Sequence, residues 1–345
     1  MKWKTFVTLV LFFALSLGTF AESPTLKPHH SDSGFQNANP NYEPKGFWDV
    51  LVWQWDRLFL PYSLDAKAYS EFPIVSNDGG NLRSNTSKLS VTWIGHATTL
   101  IQIDGLNILT DPIWSERCSP FSFAGPKRYT PPGISINHLP NIDIVILSHN
   151  HYDHTDLPTL KQLEEKFHPM VLTGLGNKKL LLGEGIRNVK EMDWWEKISF
   201  GSVTFTFTPT QHFSGRSLFD RDETLWGSFM VVGKKEKVYF AGDTGYFSHF
   251  KDIASRFGSI DIAILPIGAT EPRWLMEPVH IGPTQAVMSF LDLKAKFLVP
   301  MHYMTFVLSD EPLDSPVPRT KEAMKQSGIS ESAFVPLKIG ESRFF

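Results

Sequence analysis

One short run constrains this chain more than anything else in it. His149, Asn150, His151, Tyr152, Asp153 and His154 follow closely on the apolar stretch at residues 142–147. A strand that delivers three imidazoles and a carboxylate into one tight loop must find a partner for the second nitrogen of each buried ring. Transition-metal ions would be such partners. His149 and His151 lie two apart, so in a locally extended chain both project to one side and can share an ion. Asp153 and His154 are adjacent, point elsewhere and suit a second ion close by, with bridging oxygen ligands between the two. Polar loops also gather histidines without any metal, so the run needs support from further along the chain.

Three downstream segments share one construction. Residues 203–208 alternate β-branched and aromatic side chains in strand fashion, and Pro209, Thr210 and Gln211 lead on to His212. Residues 237–241 form another short strand candidate that ends in Gly242 and Asp243, and residues 296–299 a third, followed by Pro300, Met301 and His302. In each an apolar strand finishes and a metal-capable residue stands just past it. Strand ends converging on one rim make a site.

The H-x-H-x-D-H run followed by separated His, Asp and His resembles the metallo-β-lactamase superfamily, over residues 88–345. The resemblance implies an α/β fold, the αβ/βα four-layer sandwich. Narrower segments are similar to the branch of N-acylphosphatidylethanolamine-hydrolysing phospholipase D. They are Asp111, Pro112, Ile113, Trp114 and Ser115; Gly125, Pro126, Lys127 and Arg128; Leu225, Trp226, Gly227 and Ser228; and Gly268 and Ala269 with Glu271, Pro272, Arg273 and Trp274. Carried over residue by residue, the resemblance implies two zinc ions. His149, His151 and His212 would bind one, Asp153, His154 and His302 the other, and Asp243 would bridge them. It implies hydrolysis of a phosphodiester to phosphatidic acid and an N-acylethanolamine, with Asp153 and His280 as catalytic residues. Three details depart from the branch: Phe213 stands where Trp is usual, Thr270 stands where an aromatic residue is usual, and Tyr303, Met304, Thr305 and Phe306 follow the last histidine. They put acyl-chain and head-group preference in question, and none removes a ligand.

Several residues carry two readings. His280 either steers or protonates the leaving group, or supports a ligand from behind. Arg273 either holds a phosphate, which its planar guanidinium matches, or pairs with Glu271 or another acid. His96, in a turn between two strand candidates, supports a ligand or simply packs the turn. Asp111 ends an apolar run and either orients a ligand or forms a turn before Pro112. His29, His30, His138, His168 and His249 lack a supporting pattern and read as surface or loop residues.

The amino terminus bears on location. Lys2 and Lys4 precede an uncharged apolar stretch at residues 5–17, and Thr19 and Ala21 offer small residues for cleavage before Glu22. Residues 1–21 read as a secretory signal, shorter than the roughly 20 apolar residues of a spanning helix. An uncleaved anchor is the alternative. This expectation places the protein outside the cytoplasm, in a bacterial periplasm or secreted, with peripheral membrane association. The single cysteine, Cys118, allows no intramolecular disulfide.

Residues 22–45, rich in Ser, Pro, Asn and His, read as a flexible linker. Residues 46–87 read as an aromatic-rich extension ahead of a catalytic domain at 88–345. Helical spacing lines up Trp48, Leu51, Val52, Trp55 and Phe59, with Asp49, Asp56 and Arg57 outside the stripe. Either this helix caps the domain and buries its aromatics, or Trp48 and Trp55 enter a lipid interface and contact substrate.

A formal charge of −3 leaves no basic field for nucleic acid. The expected partners are a phospholipid substrate and a membrane surface, with a homodimer as the resembled branch often forms. Two other functions compete: a metal-dependent hydrolase of a lactone or other small ester or phosphoester, and a metal- or lipid-binding protein without turnover. The complete ligand set argues against the last.

Overall fold

Alternation along the strands decides where the core lies. Ile144 and Ile146 join one apolar cluster, Val145 and Leu147 another, as a pleated strand covered on both faces requires. The computed structural model describes residues 27–59, 72–86 and 88–345. The proposed signal at 1–21, together with residues 22–26 and 60–71, lies outside the described residues.

The described chain opens with a hairpin, β1 (His30–Ser31) and β2 (Gly34–Phe35), then α1 (Phe47–Phe59) and α2 (Gly80–Ser84). The first half of the domain runs β3 (Ser90–Gly95), β4 (Thr98–Ile103), β5 (Leu106–Thr110), β6 (Ile144–Leu147), α3 (Leu157–Phe167), β7 (Met170–Gly174), α4 (Lys178–Gly183) and β8 (Val189–Met192). The second runs β9 (Lys197–Phe200), β10 (Val203–Thr208), β11 (Ser228–Val232), β12 (Lys237–Phe240), α5 (His249–Phe257), β13 (Ile260–Pro266), α6 (Arg273–Met276), α7 (Pro283–Asp292), β14 (Ala295–Met301), α8 (Pro316–Gln326) and β15 (Ser342–Phe344).

Two sheets result, one of seven strands in the order β15-β3-β4-β5-β6-β7-β8 and one of six in the order β14-β13-β12-β11-β10-β9. In each, antiparallel pairs give way to parallel ones, at β5–β6–β7–β8 and at β12–β13–β14. Trp93, Ile101 and Ile146 of the first sheet meet Phe205, Phe229 and Val238 of the second in the larger cluster. Leu160 and Leu163 of α3 and Leu181 of α4 cover the outer face of the first sheet. Phe250, Val287, Phe290 and Met324, from α5, α7 and α8, cover the second. Helix, sheet, sheet, helix is the expected four-layer αβ/βα sandwich. Pro300 sits in β14, an edge strand of its sheet, where a missing N–H breaks no interior ladder.

Two expectations about the N-terminal region need correction. From residue 27 onward the proposed linker is tied down: Phe35 N donates to the Asp222 carbonyl at 2.8 Å, and Asn37 and Asn39 bond to the body of the domain. Polar side chains here find partners in the domain, Asn37 on the His212 backbone and Asn39 on the Gln211 side chain. The helix at 47–59 forms as expected, but it does not bury its aromatic stripe. Only Trp53 is buried, against Leu275 and Met276, with its Nε1 donating to Asp310 at 2.7 Å. Asp49 and Arg57, expected outside, lie half-buried on Trp53's side, and Arg57 Nε pairs with Asp310 at 3.1 Å. Trp48 and Trp55 remain 76% and 64% exposed.

Candidate metal centre

Parallel strands present their carboxyl ends together, and the loops leaving those ends carry the chemistry. β6 runs into His149, β10 into His212, β12 into Asp243 and β14 into His302. Gly242 has a left-handed backbone at φ 59°, and a Cβ there would collide with Ser148, so glycine alone lets Asp243 approach the loop after β6.

Two groups of side chains meet at this rim. In the first, His149 Nε2 lies 2.8 Å from His151 Nδ1, which lies 3.3 Å from His212 Nε2. In the second, Asp153 Oδ2 lies 2.9 Å from His96 Nε2, 3.2 Å from His154 Nε2 and 3.4 Å from His302 Nε2. Asp243 stands between them, its Oδ2 at 4.0 and 3.8 Å from His149 and His212 and at 3.1 and 3.2 Å from His154 and His302. The seven residues expected as ligands are thus brought together.

The hydrogen bonds behind these rings decide which nitrogen carries the proton. Ser148 Oγ donates to Asp111 Oδ2 at 2.6 Å, so its oxygen accepts from His149 Nδ1 at 2.8 Å. His212 Nδ1 donates to the Val279 carbonyl at 3.0 Å, and His154 Nδ1 to Asp111 Oδ2 at 2.6 Å. In all three Nε2 is the atom turned to the centre, and in His149 and His212, whose rings stay neutral, it offers the lone pair that a metal ligand needs. Among the described residues, buried His154 Nε2, His302 Nε2 and Asp243 Oδ1 have no hydrogen-bond partner. Orphaned donor atoms of this kind, converging from imidazoles and carboxylates, fit metal ions.

Electrostatics agree. Burial, reinforced by the imidazoles of His154, His151 and His212, holds His149 well below its ordinary value; burial also lowers His212, and takes His151 to about 4. In the second group burial opposes protonation too, yet the carboxylates of Asp243 and Asp153 outweigh it, keeping His154 well above its ordinary value and His302 at about 9. Those carboxylates are themselves well below the usual range, because the surrounding imidazoles overcome burial. The field between Asp153 and Asp243 therefore draws positive charge.

Several residues with two readings now have one place. Asp111 is fully buried and takes three donors, the Ser148 amide, the Ser148 hydroxyl and His154, so it orients His154 directly and His149 through Ser148. His96 backs Asp153, while its own N–H donates to Thr305 Oγ1 at 2.7 Å and its carbonyl accepts from the His302 amide. His96, Asp111 and His302 all hold positive φ, at 54°, 33° and 66°, a concentration of backbone strain at the centre. His280 flanks both groups, its ring 5.3 Å from His212 and 5.6 Å from His302. Arg273 is committed elsewhere: it donates to the carbonyls of Thr270 and His280 and to Gln285 Oε1, and pairs with Glu277 at 3.4 Å. Its partner is therefore not Glu271, which pairs with Arg319.

Two of the histidines read as surface or loop residues are buried. His249 opens α5 with its Nε2 3.3 Å from Thr244 Oγ1, and His29 bonds Asp193 at 2.6 Å. Sequence reasoning missed Ser148, Thr305, Asn37 and Asn39 as supports of the centre. Ser148 could have been noticed from its place between the strand and His149; the others have no local signal.

Residues 106–303 match the family model of the β-lactamase superfamily domain. An uncharacterised protein of Mycobacterium tuberculosis is 38% identical over 317 residues, 90% of this chain and 83% of that one. The N-acyl-phosphatidylethanolamine-hydrolyzing phospholipase D 1 of Caenorhabditis elegans is 36% identical over 269 residues, 74% of this chain and 75% of that one. Among solved structures, a metallo hydrolase from Ignicoccus hospitalis superposes with a TM-score of 0.58 at 19% identity, over 75% of this chain and 99% of that one. The motif, the converging strand ends, the four-layer fold and these likenesses together make the chain a member of the metallo-β-lactamase superfamily of metal-dependent hydrolases.

Proposed function

We propose that this hydrolase is a di-zinc phosphodiesterase that cleaves N-acylphosphatidylethanolamine to N-acylethanolamine and phosphatidic acid. The observation that carries the reading is a two-group His and Asp centre next to an apolar helix face turned outward. α1 docks on Leu275 and Met276 of α6, the element that leads directly to His280. Similarity to the worm enzyme and the shared segments around Gly268 and Trp274 support the choice of substrate.

His149, His151 and His212 would hold one zinc, Asp153, His154 and His302 the other, with Asp243 between; mixed imidazole and carboxylate donors suit that metal. When bound, the two ions supply an activated water and a Lewis-acid hold on the phosphoryl oxygens. The chain's own residues do the rest. His96 fixes Asp153, and Asp111 with Ser148 fixes His154 and His149. Burial lowers His280 to about 4, so at neutral pH its ring is uncharged and offers one N–H and one lone pair beside Asp243. That ring is placed to hydrogen-bond the leaving oxygen. Arg273 shapes the His280 loop through its carbonyl.

The lipid side of the reading rests on exposed apolar surface. Trp48, Leu51, Val52, Trp55 and Phe59 form an outward face on α1, and tryptophan favours the membrane interface. Beside the metal loop, a cavity of about 950 Å³ is lined by Asn150, Tyr152, Leu157, Leu180, Arg216 and Phe121. Its lining mixes apolar side chains with charges of both signs, Arg117, Lys161 and Arg216 beside Glu116, Asp156, Glu184 and Asp220. Among the described residues no helix is long and apolar enough to cross a membrane. We take the protein to be exported and peripheral to a membrane.

The test is product analysis by mass spectrometry after incubating the zinc-loaded chain with N-acylphosphatidylethanolamine micelles, beside Asp153→Asn. Release of N-acylethanolamine and phosphatidic acid by the wild type alone is expected. No turnover of this lipid with two metals bound would sink the assignment in favour of a small-ester or lactone hydrolase.

A further inference from the structure

We propose that the segment from Lys27 to Asn39 is a strap that positions the metal ligand His212, with Asn37 as the positioning residue. The inference rests on reading His212 as a ligand and extends it to residues far away in sequence. Asn37 Oδ1 accepts from the His212 amide at 3.0 Å, and Asn37 Nδ2 donates to the His212 carbonyl at 2.7 Å. A single side chain thereby takes both backbone groups of one residue, as a neighbouring strand would. Such a partner is needed because β10 ends at Thr208, its ladder with β11 stops at the Thr208–Ser228 pair, and His212 beyond it is buried. Without Asn37, two buried backbone groups would stand unpaired.

The clamp continues on both sides. Asn39 Nδ2 donates to Gln211 Oε1 at 2.7 Å, and Gln211 Nε2 donates to the Pro278 carbonyl at 2.8 Å. The next carbonyl, that of Val279, holds the His212 ring. Strap, ligand backbone and ligand ring thus form one connected unit.

The other end of the strap is latched. Lys27 Nζ, His29 Nε2 and His30 Nε2 converge on the Asp193 carboxylate at 2.7, 2.6 and 2.9 Å, and the His29 ring stacks on Trp194 at 4.3 Å. The Lys27 ammonium on that carboxylate makes this cluster a latch and not a second metal site, since the positive charge is already provided. Between latch and clamp, Gly34 passes so close to the Asp222 carbonyl that a Cβ would collide with it. These contacts aim Asn37 at His212.

The experiment measures zinc affinity by chelator competition and records absorption spectra of the cobalt-loaded chain for wild type, Asn37→Ala, Asn37→Asp and His212→Ala. In Asn37→Ala, affinity for one ion falls about 10- to 100-fold, the cobalt bands shift, and kcat falls more than KM changes. Asn37→Asp keeps the acceptor for the His212 amide, loses the donor and lies between, so it decides the matter if the alanine variant does not fold. Zinc affinities and cobalt bands like wild type in both Asn37 variants, with one ion lost from His212→Ala, would overturn the strap alone. Two ions bound as tightly by His212→Ala as by wild type would overturn the ligand reading beneath it.

Discussion

Asp111 shows how much one buried carboxylate decides. It is fully buried, holds His154 by its Nδ1 and sets the tautomer of His149 through Ser148. Asp111→Asn keeps the size but replaces an acceptor by an N–H that faces another donor, so metal affinity is expected to fall about 10- to 100-fold. Isothermal titration with zinc checks this, and an unchanged constant would remove Asp111 from the centre. The Asp193 latch makes a prediction about pH. Despite burial, its bonds to Lys27 and His29 lower its pKa to about 2 from 3.8. A depressed carboxylate stabilises the folded state above its unfolded value and loses that contribution as pH falls through the folded one. Burial lowers His29 as well, so the folded state prefers its neutral ring and loses stability as pH drops below 6.5. Hydrogen exchange at residues 27–37 should therefore quicken on acidification; rates independent of pH, after correction for intrinsic exchange, would contradict the latch. The types of the ligands were readable from their order along the chain. The roles of Asp111 and His96 were not, because both follow from which atoms lie behind which ring.

At the scale of elements, α1 reverses the usual arrangement. A helix at the surface of a globular domain buries its apolar stripe, yet here the docking side is Asp49, Trp53 and Arg57 and the stripe faces outward. The apolar spacing was legible and the direction was not, since an exposed stripe and a buried one share the same period. Trp53→Ala removes both the apolar anchor and the bond to Asp310, and truncating a buried tryptophan costs roughly 3–5 kcal/mol in a core. Limited proteolysis within residues 47–59 should then become at least tenfold faster, with the metal content unchanged; equal rates would mean that Trp53 is not the anchor. Replacing Trp48, Trp55 and Phe59 together by Ser leaves the docking side intact. Its expected effect is at least a tenfold loss of binding to phospholipid vesicles in a sedimentation assay, and equal binding would send the lipid interface elsewhere on the surface.

At the scale of the whole molecule, the centre joins the two sheets: His149, His151, Asp153 and His154 follow β6 of one, and His212, Asp243 and His302 follow strands of the other. Bound ions would therefore crosslink the halves of the sandwich, and a ligand held only by the native state adds about 2.7 kcal/mol at a hundred times its dissociation constant. Chelation should lower the calorimetric unfolding midpoint by roughly 5 °C or more, restored by zinc; a midpoint insensitive to both would deny that these residues hold metal. The alternation of the strands and the polar residue just past each strand end lay open in the order of amino acids, because both are local: period two and adjacency need no knowledge of distant partners. The same holds for the H-x-H-x-D-H spacing, and with these came the seven candidate ligands; the fold class came through the family resemblance that they carry. The Asn37 clamp, the Asp193 latch, the outward face of α1 and the proton placement on each ring were decided only by tertiary structure. Each depends on a pairing between positions far apart in the chain, and polar side chains in an irregular segment carry no period that could announce their partner.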